Sequence, residues 1–94
     1  MLILDEAASG CDFLAREQLL YLLENLNRTY AYLTMIYITH VIEEIISLFS
    51  KIFLLKEGSC FNKGKTKDIL TDSIMSKFFN NQIEVIRYRN RYFV

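Results

Sequence analysis

The 94-residue chain has no proline and only three glycines, Gly10, Gly58 and Gly64, which excludes a collagen-like or low-complexity chain. Its two cysteines, Cys11 and Cys60, are too few for a disulfide framework and suit a reduced, cytosolic protein. Neither charge is in surplus: eleven basic and eleven acidic side chains cancel, so a tail of one sign is excluded. The most hydrophobic region, residues 30–56, carries His40, Glu43, Glu44 and Lys51. Two adjacent carboxylates at its middle would be costly in lipid, so this stretch does not read as a membrane span. At the N-terminus Asp5 and Glu6 interrupt the apolar residues at once, and no basic segment precedes them, which excludes a signal peptide.

What remains is rich in apolar residues. Hydrophobic side chains make up 52% and aromatics 14% of the chain, so wholesale disorder is excluded. The length allows one small domain, which buries roughly 60–65% of its unfolded surface and so has a modest core. Charge is split along the chain: residues 1–57 are net acidic and residues 58–94 net basic, which points to different neighbours for the two halves.

Leu2-Ile3-Leu4 is a short apolar run that predicts a strand buried on both faces. Asp12 precedes leucines at helical spacing and is placed to cap that helix through its carboxylate. Residues 34–39, rich in β-branched and aromatic side chains, predict a second buried strand, and Val41 to Phe49 a short helix. Lys51 to Lys56 predicts a third strand, turned by Glu57-Gly58 into Ser59 to Lys63 as a hairpin. Two short helices follow at Thr66 to Leu70 and Asp72 to Phe79, with Thr66 and Asp72 placed to begin them. Gln82 to Val94 alternates around Arg89-Asn90 as a terminal hairpin. Strands alternating with helices, then antiparallel pieces, indicate an α/β chain with a partly parallel sheet.

Asp5 and Glu6 stand at the C-terminal end of the first strand, where α/β sheets place ligands. One carboxylate there can hold a hydrated Mg²⁺, and the next can orient or deprotonate an attacking water. Two acids after a strand are also a common solvated strand end. The run Asp5-Glu6-Ala7-Ala8-Ser9-Gly10-Cys11-Asp12 resembles the Walker B and D-loop run of ATP-binding cassette (ABC) ATPases, D-E-P-T-S-G-L-D, matching it at five of eight positions. The stretch from Thr34 through Thr39-His40 to Glu43-Glu44 is similar to the family's switch strand and the acids after it. Ile52 to Gly58, Gly64 and Asp68-Ile69-Leu70 are similar to the following hairpin and helix, in the family's order and spacing.

The resemblance covers residues 1–80 and implies the C-terminal portion of an ABC-type ATPase domain with a P-loop NTPase core, followed by a terminal β-hairpin extension at 81–94. It implies that Asp5 binds Mg²⁺ through water, that Glu6 is the catalytic base, and that His40 senses the γ-phosphate. Ser9, Gly10 and Asp12 would lie in the D-loop and meet a second ATPase protomer. Ala7 and Ala8 depart from the usual Pro and Thr, and Cys11, read as a small buried hydrophobe, from the usual Leu. ATP binding in the family needs G-x-x-x-x-G-K-S/T; Gly64-Lys65-Thr66 imitates only its end, since Ser59 stands where the first glycine belongs. No signature motif or Q-loop is present either. The sequence therefore reads as the hydrolysis and switch half of an ATPase, with ATP and Mg²⁺ as ligands of the complete domain. A transmembrane permease subunit and a cytoplasmic, membrane-peripheral place are implied with it. Two readings stay beside this one: a non-catalytic remnant or interaction module without nucleotide binding, and a nucleic-acid surface on the Arg/Tyr-rich terminal hairpin. A hairpin with one packed face and solvated arginines is preferred over the nucleic-acid surface.

Overall fold

A computed structural model describes residues 1–94. In place of one small domain, the chain forms two compact units, Met1–Glu44 and Ile45–Val94. The physical reason is that backbone pairing stays local: the three two-stranded sheets, β1–β2, β3–β4 and β5–β6, each lie wholly within one unit.

In the first unit, β1 (Leu2–Asp5) pairs in parallel with β2 (Met35–Ile38), in the register Leu2 to Met35 through Asp5 to Ile38. Parallel strands need a long connection, and α1 (Phe13–Thr29) supplies it. Asp12 caps α1 as its sequence position predicts: its carboxylate accepts from the Ala15 amide at 2.8 Å. Such a cap contributes about 1 kcal/mol. Leu20 and Leu23, three apart, are the buried stripe of the helix.

Two expectations fail in this unit. The strands are not buried on both faces: Leu2, Leu4, Met35 and Tyr37 are half-buried, while Ile3, Asp5, Ile36 and Ile38 are exposed. Each strand has a single partner and nothing covers the second face. Cys11 is exposed rather than buried, because it lies in the turn before the cap of α1.

The predicted helix at Val41 to Phe49 is reduced to one 3₁₀ turn, Ile42–Glu44. The β-branched Val41, Ile42, Ile45 and Ile46 are weak helix formers, and Glu44 turns inward to side-chain hydroxyls instead.

In the second unit, β3 (Lys51–Lys56) and β4 (Ser59–Lys65) form an antiparallel hairpin. Its two-residue turn, Glu57-Gly58, has φ of 52° and 79°, the double left-handed geometry that glycine tolerates best. A bulge between Leu54 and Leu55 shifts the register, so that Leu54 faces Asn62 and Leu55 faces Cys60. The helix α2 (Thr66–Ile69) starts at Thr66, whose hydroxyl does not cap it but donates to the Phe49 carbonyl at 2.7 Å. Thr71, not Asp72, caps α3 (Asp72–Phe79), its hydroxyl accepting from the Ile74 amide. Asn80 ends α3 at φ 53°, with the Asn81 amide on Ser76 and the Asn80 amide on Lys77, a Schellman closure.

Lys56 is bound to the same end, its ammonium donating to the Phe78 carbonyl at 2.7 Å. The terminal hairpin β5 (Ile86–Tyr88) and β6 (Arg91–Phe93) turns at Arg89-Asn90 as expected, and Tyr92 is its buried residue. Leu54, Ile69, Leu70 and Met75 are buried in this unit as well.

The open face of β1–β2 has Ile3 58%, Ile36 42% and Ile38 44% exposed, and both outer edges of the pair are unpaired. Bare edges beside apolar side chains template association. The purified chain is expected to self-associate, with sedimentation velocity showing species heavier than its 11.1 kDa. A monodisperse monomer that unfolds cooperatively would contradict this.

Candidate active site

Parallel pairing brings the C-terminal ends of β1 and β2 to the same side. Asp5 stands opposite Ile38, and the Glu6 amide donates to the Ile38 carbonyl at 2.8 Å, extending the ladder by one bond. The chain then turns sharply. Glu6 has φ 53°, a left-handed conformation that is costly for a non-glycine residue, on the order of 1–3 kcal/mol, and its carbonyl accepts from the Ser9 amide at 3.0 Å.

His40 follows β2 by two residues and meets Glu6. Its Nδ1 lies 3.1 Å from Glu6 Oε1 and 3.0 Å from Oε2. A carboxylate only accepts, so the proton of this bond sits on Nδ1 and Nε2 is left facing outward. The imidazole is 77% exposed and the Glu6 side chain 38%, an open arrangement that an incoming ligand can reach. The hydrogen bond to Glu6, and then its charge, hold the His40 pKa above the ordinary value of 6.5; slight desolvation opposes them.

Residues that the sequence left in the background fix this segment. Buried Glu44 accepts from the Tyr37 hydroxyl at 2.7 Å and from the Thr39 hydroxyl at 2.9 Å. Thr39 Oγ1 in turn accepts from the Val41 amide at 3.0 Å. His40 is thus bracketed by two residues, Thr39 and Val41, joined to one buried carboxylate. Burial, and then the bond to Glu44, raise the Tyr37 pKa, so the phenol stays protonated and donating. The signal in the sequence was polar Tyr37, Thr39 and Glu44 within an otherwise apolar stretch.

Asp5 is exposed at the strand end, where its carboxylate makes no hydrogen bond within the chain. Ser9 and Gly10 are exposed in the turn, and Gly10 has φ 80° with open space where a Cβ would stand. Asp12 lies at the far end of this turn, held on α1 as its cap. No group of three or more His, Cys, Asp or Glu residues is placed to hold a metal ion. A lone strand-end carboxylate fits a Mg²⁺ ion that keeps its waters and is held mainly by phosphate oxygens, not one caged by protein. Gly64-Lys65-Thr66 forms no P-loop: it joins a strand to a helix of four residues, and its threonine hydroxyl is engaged by Phe49.

Because His40 is the one histidine, its titration can be followed by NMR without assignment. Its pKa is expected above 6.5, returning toward 6.5 in Glu6→Gln. A raised folded-state pKa means that the pair stabilises the fold fully below pH 6.5 and loses that contribution as pH rises through the raised value. Separately, Glu44→Leu strands two hydroxyls and should cost about 1–3 kcal/mol in urea unfolding, while Glu44→Gln, which keeps an acceptor, should cost less.

No helix is long and apolar enough to cross a membrane. No family model matches the chain. Curated proteins do match it. The chain is 39% identical over 94 residues to the ABC transporter ATP-binding protein YmeB of Lactococcus lactis, and 42% identical over 94 residues to YlmA of Bacillus subtilis. It is 37% identical over 93 residues to an ABC transporter ATP-binding protein of Streptococcus mutans. In each case the chain spans 36% of the length of the relative. Over its whole length, the chain is homologous to one segment of the ABC transporter ATP-binding proteins.

Proposed function

We propose that the chain is the hydrolytic and switch portion of an ABC-type ATPase with a P-loop NTPase core. In this reading residues 1–80 are the C-terminal portion of that domain and residues 81–94 a hairpin extension. The observation that carries the proposal is the Glu6–His40 pair, formed at the joined ends of two parallel strands by residues 34 positions apart. It is supported by the relatives, which are ABC transporter ATP-binding proteins.

Phosphoryl transfer asks a protein chiefly to position groups and stabilise charge. Glu6, turned toward solvent at the strand end, takes the proton of the attacking water. His40 holds that carboxylate through Nδ1–H and, when protonated, can donate from Nε2 to the γ-phosphate. Asp5 would hold Mg²⁺, which when bound neutralises charge on the phosphates. Ser9 and Gly10, exposed between Glu6 and the Asp12 cap, supply the surface for a second protomer. The whole protein would couple hydrolysis to transport beside a permease subunit, at the cytoplasmic face of a membrane.

Two measurements test this. Without a P-loop, the Asp5–Glu6–His40 strand end of the isolated chain should add nothing to Mg-ATP affinity: calorimetry should give the same affinity for Asp5→Asn and His40→Ala as for the parent, and micromolar binding lost in those variants would overturn that. With the remaining segment of the ATPase supplied by fusion or co-expression, Glu6→Gln should remove at least ~99% of hydrolysis while retaining ATP binding, given the usual size of general-base effects. Asp5→Asn should weaken the Mg²⁺-dependent steps, and His40→Ala should slow turnover without unfolding the chain. Parental turnover in Glu6→Gln would leave the chain a non-catalytic module.

A further inference from the structure

The Ile45–Val94 unit carries nine lysines and arginines against four acids, and four of these cations converge. Lys51, Lys65, Lys67 and Arg87 line one open cavity of about 280 Å³, together with the aromatic rings of Phe49 and Tyr92. No aspartate or glutamate lines it, and none of the four cations belongs to an ion pair.

Two of them are set against each other by the backbone. Lys51 and Lys65 are register partners across the β3–β4 ladder, and like charges placed directly opposite destabilise a sheet. Arg87 is held in place: its guanidinium donates to Asn90 Oδ1 at 3.2 Å and lies 5.7 Å from the centre of the Tyr92 ring. The cavity wall is also fixed, since the Thr66 amide and hydroxyl bind the carbonyls of Ser50 and Phe49 at 3.0 and 2.7 Å. Opposed lysines and an oriented arginine, with no acidic side chain in the lining, give the cavity a positive face.

We propose that this cavity is a binding site for a small organic phosphate. A phosphate group would accept from Lys51, Lys65 and the Arg87 fork, for which guanidinium geometry is suited. The aromatic rings would cover the organic part. The cavity's volume of about 280 Å³ falls just below the usual range of ligand pockets, about 300 Å³ upward, which favours a ligand of nucleoside monophosphate size or smaller. The site does not rest on the proposed ATPase chemistry, because all its residues lie in the other unit from Asp5, Glu6 and His40.

The test is equilibrium dialysis of the full chain with labelled AMP, with pyrophosphate as competitor. Saturable binding of one AMP per chain, displaced by pyrophosphate, is expected. Lys51→Gln/Lys65→Gln and Arg87→Gln should each weaken it about tenfold or more, the scale of a lost charged hydrogen bond. Lys63→Gln/Lys77→Gln, which removes the same charge outside the cavity, should leave affinity unchanged. The Lys51→Gln/Lys65→Gln chain should melt no lower than the parent, which separates lost affinity from lost folding. The proposal is overturned if neither probe saturates by millimolar concentration, or if the control pair weakens binding equally. It is also overturned if a single-stranded oligonucleotide binds more tightly than AMP and resists pyrophosphate, which would make this surface a nucleic-acid contact.

Discussion

Because β1 runs parallel to β2 with Asp5 opposite Ile38, the residues that follow each strand leave from the same end. A slip of one residue would send Leu2 and Leu4 to the open face and Ile3 to the half-buried one, and would carry Glu6 away from His40. Register is fixed from both sides: Leu2 donates to Thr34 at the start, and Glu6 donates to Ile38 at the end. The catalytic geometry proposed for this chain is therefore a by-product of strand pairing. Neither Glu6 nor His40 is buried, and no packing force holds them; the backbone ladder brings them within reach, and the hydrogen bond follows.

The two units handle polar groups in opposite ways. In Met1–Glu44 a carboxylate is taken into the interior and satisfied by two hydroxyls, so Glu44 is buried without a cation. That is tolerable because two short hydrogen bonds converge on one carboxylate oxygen, Oε1. In Ile45–Val94 Lys51, Lys65 and Lys67 stay exposed and outside any ion pair, while bonds to backbone hold the fold together: hydroxyl to carbonyl at Thr66, hydroxyl to backbone at Ser76, ammonium to carbonyl at Lys56.

Local chemistry was legible in the sequence wherever a residue type answers a single local demand. Asp12 before a leucine stripe, Gly58 at the hairpin turn and Asn90 in the terminal turn all sit where their backbone or side-chain preferences place them. The two residues Glu6 and His40 were singled out by family resemblance, but their contact was not, since a pairing across 34 residues has no local signature. The helix expected at Val41 to Phe49 was lost to weak helix formers and to the hydrogen bonds of Glu44 with Tyr37 and Thr39, side-chain choices that an apolar pattern does not display. Burial of β1 and β2 was misread for a related reason. An apolar strand shows what it can be covered by, not whether the cover is present, and Ile3 and Ile36 are open.

The Glu44 network also sets a clock. Thr39 and Val41 are held to one buried carboxylate, so the backbone on both sides of His40 has little freedom. The imidazole itself is exposed and bound to Glu6 alone. It can therefore leave Glu6 by rotation about its own side-chain bonds, in the picosecond-to-nanosecond range of exposed rotamers. No microsecond rearrangement of a loop is required. Such a contact would break and re-form many times within a microsecond, acting as a latch without a hinge.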